Sequence, residues 1–115
     1  MTDVLLWHNP RCSKSRAALA LLEEAGHDVT LRLYLSEEPD EAELRAVHAR
    51  LGGPVRGMMR VKEKAYGEAG LDAESSDDAL FAAMAANPKL IERPIAFAGG
   101  KAVIGRPPER VLEIV

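Results

Sequence analysis

A cysteine placed between a strand and a helix constrains this chain more than any other feature of its sequence. Val4 to Trp7 is a short apolar run that predicts a buried strand. His8 to Arg11 predicts a loop, because an asparagine and a proline interrupt the pattern. Good helix formers follow Cys12, and Gly26 is a natural helix end. The chain therefore begins as a strand, a loop and a helix, with its thiol at the start of the helix.

The remaining pattern predicts a mixed sheet interrupted by helices. Val29, Leu31 and Leu33 alternate with polar residues and predict a second strand. Three helical segments are predicted next: a helix capped by Asp40 and ended by Gly52, a helical turn over Val55 to Met59, and a helix capped by Ser76 that runs to Ala86. A hairpin follows, in which Gly99-Gly100 joins the strands Ile95 to Phe97 and Ala102 to Ile104. A last helix is predicted from Pro108. The first two strands imply a parallel pair with a right-handed crossover, and the hairpin adds antiparallel strands. This α/β order fits a thioredoxin-like layout in one domain, residues 1–115.

The surroundings of Cys12 favour its thiolate form. The dipole and the free backbone N–H groups of a helix N-terminus stabilise negative charge. Arg11, Lys14 and Arg16 add positive charge, and no carboxylate lies between residues 8 and 16. We therefore expect a nucleophilic thiol whose pKa lies below its usual value. The same N–H groups also suit a tetrahedral oxyanion.

Two side chains near Cys12 each have two open interpretations. His8 is either a packed loop histidine or the partner that stabilises the thiolate, and spacing alone does not decide between them. Ser15 stands where a Cys-x-x-Cys protein has its second thiol. Its hydroxyl serves either the first helical turn or a hydrogen bond to the thiolate, and the two roles are compatible.

Composition excludes several classes of protein. One cysteine among 115 residues allows no internal disulfide and no multi-cysteine zinc site, so we expect no metal, no bound cofactor and a second thiol from another molecule. The net charge of −3 argues against a nucleic-acid partner. No stretch approaches the roughly 20 apolar residues of a membrane span. The start, Met1 to Asp3, lacks the basic and apolar features of a signal peptide, so we expect a cytoplasmic protein with no membrane partner.

Several segments together resemble the glutaredoxin-coupled arsenate reductase family, of the ArsC type. The loop His8-Asn9-Pro10-x-Cys12-x-x-Ser15-Arg16 is similar to the active-site loop of that family. The other matching segments are Leu33-Tyr34-Leu35, Arg60 after the helical insertion, Glu92-Arg93-Pro94-Ile95 and Ile104-Gly105-Arg106-Pro107-Pro108-Glu109. The resemblance covers the whole chain and is nearest to a short single-cysteine subgroup. Its specificity comes from the loop combined with the two Arg-Pro segments.

The resemblance implies a fold and a reaction. The fold is thioredoxin-like, with a mixed four-stranded sheet and a helical insertion. In the reaction, the Cys12 thiolate attacks arsenate or a similar oxyanion, and glutathione acts as a co-substrate that displaces arsenite. Glutaredoxin then resolves the disulfide between Cys12 and glutathione. An external thiol also agrees with the presence of one cysteine.

The resemblance also implies which residues form the site. The implied residues are His8, Cys12 and Ser15 for catalysis and Arg60, Arg93 and Arg106 for binding the oxyanion. His8 corresponds to a residue that lowers the pKa of the thiol. The planar fork of arginine suits an oxyanion. Pro94 corresponds to a cis proline beside the active-site loop, which would bring Arg93 near Cys12.

Two other functions remain open at the level of sequence. One is a monothiol oxidoreductase that handles glutathione mixed disulfides without acting on arsenate. The other is a regulator that binds RNA polymerase, as the Spx-type proteins of this fold do. Those regulators usually carry Cys-x-x-Cys in the first loop, so Ser15 and the three retained arginines disfavour this function.

Overall fold

The structure is a computed structural model that describes residues 2–115. The chain forms two compact units. One comprises the residues up to Glu37 together with Arg93–Val115, and the other comprises Glu38–Glu92. The first unit carries a four-stranded sheet and the second is mainly helical. One domain over residues 1–115 stays a prediction. Within the described residues, no helix combines the length and the apolar character needed to cross a bilayer.

The sheet has the strand order β2-β1-β3-β4. Its strands are β1 (Asp3–Trp7), β2 (Asp28–Arg32), β3 (Ile95–Ala98) and β4 (Lys101–Ile104). Strand β1 pairs in parallel with β2 and antiparallel with β3, which pairs antiparallel with β4. Helix α1 (Ser13–Glu24) connects β1 to β2, and a 3₁₀ helix over Pro108–Ile114 follows β4. The predicted mixed α/β fold is confirmed.

Alternation along β1 divides its side chains between the two faces of the sheet. Val4 and Leu6 are buried in an apolar cluster with residues of α1 and of the last 3₁₀ helix. The other buried members of this cluster are Ala18, Leu22, Ala96, Ala98, Val103 and Val111. Trp7 stacks on Tyr34 at a centroid distance of 6.2 Å and contacts Phe97 at 5.5 Å. This packing fixes the end of β1, where the loop to Cys12 begins.

Local signals set the turns of the sheet unit. Gly99 and Gly100 join β3 to β4 with φ values of 54° and 82°. A type I′ turn requires this left-handed backbone at both central residues, and glycine adopts it without steric strain. The hairpin predicted from these two glycines is confirmed.

The second unit contains three α-helices among its described residues. They are α2 (Glu41–Leu51), α3 (Lys64–Glu68) and α4 (Asp77–Ala86), with 3₁₀ turns at Val55–Met58 and Pro88–Leu90. Both predicted caps are present. Asp40 Oδ1 accepts the N–H of Glu43 at 2.8 Å, and Ser76 Oγ accepts the N–H of Ala79 at 3.2 Å.

Two differences between the structure and the sequence prediction concern β2 and α3. Strand β2 ends at Arg32, because the carbonyl of Leu33 instead accepts the N–H groups of Ser36 and Glu37 in a turn. Helix α3 was not predicted. None of its residues is buried, so no apolar periodicity marks it in the sequence.

Candidate active site

One edge of the sheet gathers the loop of Cys12 and both Arg-Pro segments. Trp7, the last residue of β1, pairs with Arg32 on one side and with Ile95 on the other. Ile95 also pairs with Ile104, the last residue of β4. The loop after β1, the residues before β3 and the residues after β4 therefore all lie at the same edge. Segments far apart in sequence meet there.

Cys12 occupies the N-cap position of α1, with φ −91° and ψ 123°. Its N–H donates to the carbonyl of Asn9 at 3.0 Å, which closes the loop before the helix. Partial burial by itself raises the pKa of Cys12. The backbone N–H groups of Ser15 and Lys14, followed by the charges of Arg93 and Arg106, lower the pKa of Cys12 more strongly, so it lies below its usual value. The predicted direction is confirmed.

The cations that act on the thiol are not the ones expected from the loop. The sequence suggested Arg11, Lys14 and Arg16, which lie within four residues of Cys12. The charges that lower the pKa of Cys12 belong to Arg93 and Arg106, which the fold brings to the same sheet edge. Nearness in sequence does not direct a side chain toward the sulfur, and Arg16 Nη1 donates instead to the carbonyl of Pro10 at 2.8 Å.

Arg93 and Arg106 are joined through the backbone. The peptide bond between Arg93 and Pro94 is cis, as the resemblance implied, and the bond between Arg106 and Pro107 is also cis. Arg106 Nη1 donates to the carbonyl of Arg93 at 3.1 Å. The N–H of Gly105 donates to the carbonyl of Pro94 at 2.9 Å. The two arginine segments are thus held side by side.

Sequence reasoning gave no role to Gly105. An ideal Cβ at this position would lie 2.8 Å from Pro94 Cγ and 2.9 Å from Val111 Cγ1, so only glycine fits without displacing a neighbour. A glycine directly before an Arg-Pro segment was the available signal. Its packing against Pro94 depends on a contact distant in sequence.

His8 and Ser15 form a buried polar pair. His8 is 5% exposed and Ser15 is fully buried, and their Nδ1 and Oγ atoms are 2.7 Å apart. Ser15 Oγ also accepts the N–H of Asn9 at 3.0 Å. Burial, followed by the charge of Arg16, lowers the pKa of His8, so its ring is neutral at neutral pH.

Ser15 contacts the site through both its side chain and its backbone. Its hydroxyl bonds to His8 and to the loop amide of Asn9, whereas its backbone N–H bonds to the thiol of Cys12. Arg16 adds a second connection, because its Nη1 donates to the carbonyl of Pro10 at 2.8 Å. The loop is therefore fastened to the first turn of α1 at two points. Catalytic roles for His8 and Ser15 stay predictions.

Arg60 lies in the helical unit, apart in sequence from the other site residues. Its Nη2 forms an ion pair with Glu63 Oε2 at 2.7 Å, and its Nη1 is 3.4 Å from the carbonyl of Lys89. The guanidinium group is therefore partnered in this structure. Oxyanion binding by Arg60 stays a prediction, as it does for Arg93 and Arg106.

A cleft lies beside the loop of Cys12. Its volume is about 410 Å³, and it is lined by His8, Asn9, Pro10, Arg11, Leu33, Leu35 and Ser36. Across residues 2–115 no group of three or more His, Cys, Asp or Glu side chains is arranged to hold a metal ion. The site itself combines a thiol of lowered pKa with the charges of Arg93 and Arg106.

The chain is similar to known proteins over nearly its whole length. A model of the ArsC family matches residues 7–114. An arsenate reductase of Neisseria meningitidis serogroup A is 51% identical over 113 residues, which cover 96% of this chain and 97% of that protein. An uncharacterized protein of Escherichia coli K12 is 54% identical over 115 residues, and the match covers 98% of this chain and 97% of that protein. The solved structure of an arsenate reductase from Vibrio cholerae, 52% identical, superposes with a TM-score of 0.96 over 99% of this chain and 98% of that one. The chain belongs to the ArsC family.

Proposed function

We propose that this protein is an arsenate reductase in which Cys12 is the nucleophile. The observation that best supports this function is the environment of the thiol, whose pKa is lowered by two backbone N–H groups and by Arg93 and Arg106. The same donors that favour a thiolate also favour a bound oxyanion and the negative charge of the reaction. Relatives named arsenate reductase support arsenate as that oxyanion.

The first step joins sulfur to arsenic. The Cys12 thiolate attacks arsenate, an S–As bond forms, and one arsenate oxygen leaves as water after taking up protons. No electron changes hands at this stage. Arg93 and Arg106 hold the arsenate oxygens through planar N–H pairs, and the backbone N–H groups at the start of α1 donate hydrogen bonds to the sulfur.

The second step needs a thiol from outside the chain, because Cys12 is the one cysteine in the sequence. Glutathione attacks the Cys12 sulfur, the S–As electron pair leaves with arsenic, and arsenite is released. The two sulfurs are left oxidised as a Cys12–glutathione disulfide. A glutaredoxin thiol then takes the glutathione and restores the Cys12 thiol. The reducing cytoplasm supplies both thiols, and we place the protein there.

A coupled assay tests this function. Wild type should consume arsenate and release arsenite when glutathione and glutaredoxin are both present, and Cys12→Ser should have no turnover. Ser13→Ala is the matched control, since Ser13 is an exposed neighbour on the same helical turn, and it should retain wild-type turnover.

Each alternative function predicts a different result. Reduction of glutathione mixed disulfides without arsenite release would indicate a monothiol oxidoreductase instead. Capture of RNA polymerase without any turnover would indicate a regulator. Arsenate turnover sustained by thioredoxin alone would keep the substrate but contradict the coupling to glutaredoxin.

A further inference from the structure

The cleft beside the Cys12 loop and the two arginines lie on opposite sides of β1. Leu33 and Leu35, which line the cleft, follow β2, whereas Arg93 precedes β3. Strand β1 lies between β2 and β3 in the sheet and leads directly into the loop. One side of the loop therefore has the guanidinium groups that suit an oxyanion, and the other side has an open cleft.

The walls of the cleft include exposed apolar side chains. Leu33 and Leu35 are 37% and 41% exposed, so their side chains present apolar surface to the cleft. Pro10 faces the same space from the loop. A surface of this type favours a ligand with methylene groups of its own over water.

One charged side chain, Arg11, lines the cleft. Its guanidinium makes no hydrogen bond or ion pair with the residues that the structure describes, since the bond from Arg11 to Asn9 uses the backbone N–H. An unpaired guanidinium at the rim of an apolar cleft suits a carboxylate. The cleft thus combines a place for aliphatic carbon with a place for one negative charge.

We propose that this cleft binds the second thiol of the reaction, a small anionic peptide thiol of the glutathione class, and delivers it to Cys12 from the side opposite Arg93 and Arg106. The inference rests on the proposed reduction by Cys12 and an external thiol. A volume of about 410 Å³ lies in the range of small-molecule sites and suits a ligand of tripeptide size. The glutathione thiolate forms the new S–S bond with Cys12, and arsenite leaves on the other side with the S–As electron pair.

The test isolates thiol delivery from arsenate chemistry. Cys12 is first converted to a mixed disulfide with 2-nitro-5-thiobenzoate. Attack on the Cys12 sulfur by an added thiol then releases the coloured nitrothiobenzoate anion, and the rate is followed by absorbance. With glutathione the wild-type rate should saturate as concentration rises, because a bound complex forms. With 2-mercaptoethanol, which has no carboxylate, the rate should stay proportional to concentration.

Two pairs of variants locate the binding. Leu35→Asp places a carboxylate in the cleft and should slow the reaction with glutathione by about tenfold, because like charges repel where the ligand binds. Leu31→Asp is its control, since Leu31 is 40% exposed but lies outside the cleft. Arg11→Gln should slow glutathione more than Lys14→Gln, although both remove one positive charge near Cys12. All four should react with 2-mercaptoethanol at the wild-type rate.

Three outcomes would overturn the inference. They are equal slowing of both thiols, equal effects of Leu35→Asp and Leu31→Asp, and an effect of Leu35→Asp on a glutaredoxin thiol but not on glutathione. The last would assign the cleft to a protein partner. Because no arsenate is present, failure here leaves arsenate reduction standing. Conversely, success here combined with an inactive arsenate assay would leave a thiol-binding site without the proposed substrate.

Discussion

Backbone N–H groups and two arginines distant in sequence lower the pKa of Cys12. If Arg106 lowers the pKa of the thiol, then Arg106→Gln should raise it, and Arg11→Gln should leave it nearly unchanged. The rate of alkylation by iodoacetamide as a function of pH measures this directly. A wild-type midpoint at or above that of free cysteine would contradict an activated thiol. A larger pKa shift in Arg11→Gln than in Arg106→Gln would show that the charge of the loop arginine lowers the pKa of the thiol instead.

Conservative substitution can test separately whether each of the three predicted arginines binds the oxyanion. Lysine retains the charge of arginine but loses its planar pair of donors, so Arg93→Lys and Arg106→Lys should each lower kcat/KM for arsenate by about tenfold to a hundredfold. Arg60→Lys tests whether the ion pair with Glu63 gives way to substrate. Arg110→Lys, at an exposed pair with Glu113, is the control. Wild-type turnover in all three site variants would exclude arsenate binding by these residues.

The buried hydroxyl of Ser15 gives a stability prediction. Ser15→Ala leaves the ring of His8 and the N–H of Asn9 without their partner and should lower the free energy of unfolding by about 1–3 kcal/mol. Urea denaturation followed by circular dichroism measures the loss. Ser13→Ala, on the exposed face of the same turn, should change stability by less than about 0.5 kcal/mol. Equal effects of the two substitutions would show that the buried bonds contribute nothing specific.

Among the structural elements, the segment from β4 into the last 3₁₀ helix is the most tightly constrained. Gly105→Ala pushes a methyl group against Pro94 and Val111, and such overpacking should cost about 1–3 kcal/mol of stability. Because Gly105 also bonds to Pro94, the substitution should displace Arg93 and reduce arsenate turnover. Thermal unfolding and the coupled assay measure both effects.

Gly67→Ala is the matched control for this prediction. Gly67 lies in α3 with no atom near its ideal Cβ, so alanine there should preserve or slightly raise stability, because alanine favours helix more than glycine does. If Gly105→Ala were as stable and as active as Gly67→Ala, the close approach to Pro94 would have no energetic consequence.

Elements with strong local signals were predictable from the sequence, and contacts between distant segments were not. The caps at Asp40 and Ser76 and the Gly99-Gly100 turn depend on neighbours within three residues, so their patterns are sufficient. Helix α3 carries no buried residue and therefore no periodic signal. The cations acting on Cys12, Arg93 and Arg106, reach it only through strand pairing, and for these the family resemblance supplied what local chemistry could not.

At the scale of the whole molecule, His8 links stability to pH. Its pKa is lowered in the folded chain, so the unfolded chain takes up a proton more readily. The contribution of His8 is therefore complete above its unfolded pKa, about 6.5, and is lost as pH falls from there through the folded value.

Urea denaturation at pH 7 and pH 5 should detect this linkage. The free energy of unfolding should fall between these two values in wild type, and it should fall less in His8→Gln, which carries no titrating ring. An identical fall in the two proteins would assign the pH dependence to other groups.

The crowding of Gly105 by Val111 has a genetic consequence. Val111 belongs to the apolar cluster of the sheet unit, while Gly105 touches Pro94 and precedes Arg106, whose side chain bonds to the carbonyl of Arg93. A bulkier residue at position 111 would press on the core and on the segment that carries Arg106. In a culture selected for growth on arsenate, Gly105→Ala should be partly suppressed by Val111→Ala, which removes one of the two crowding carbons. The residue types tolerated at positions 105 and 111 should thus depend on each other.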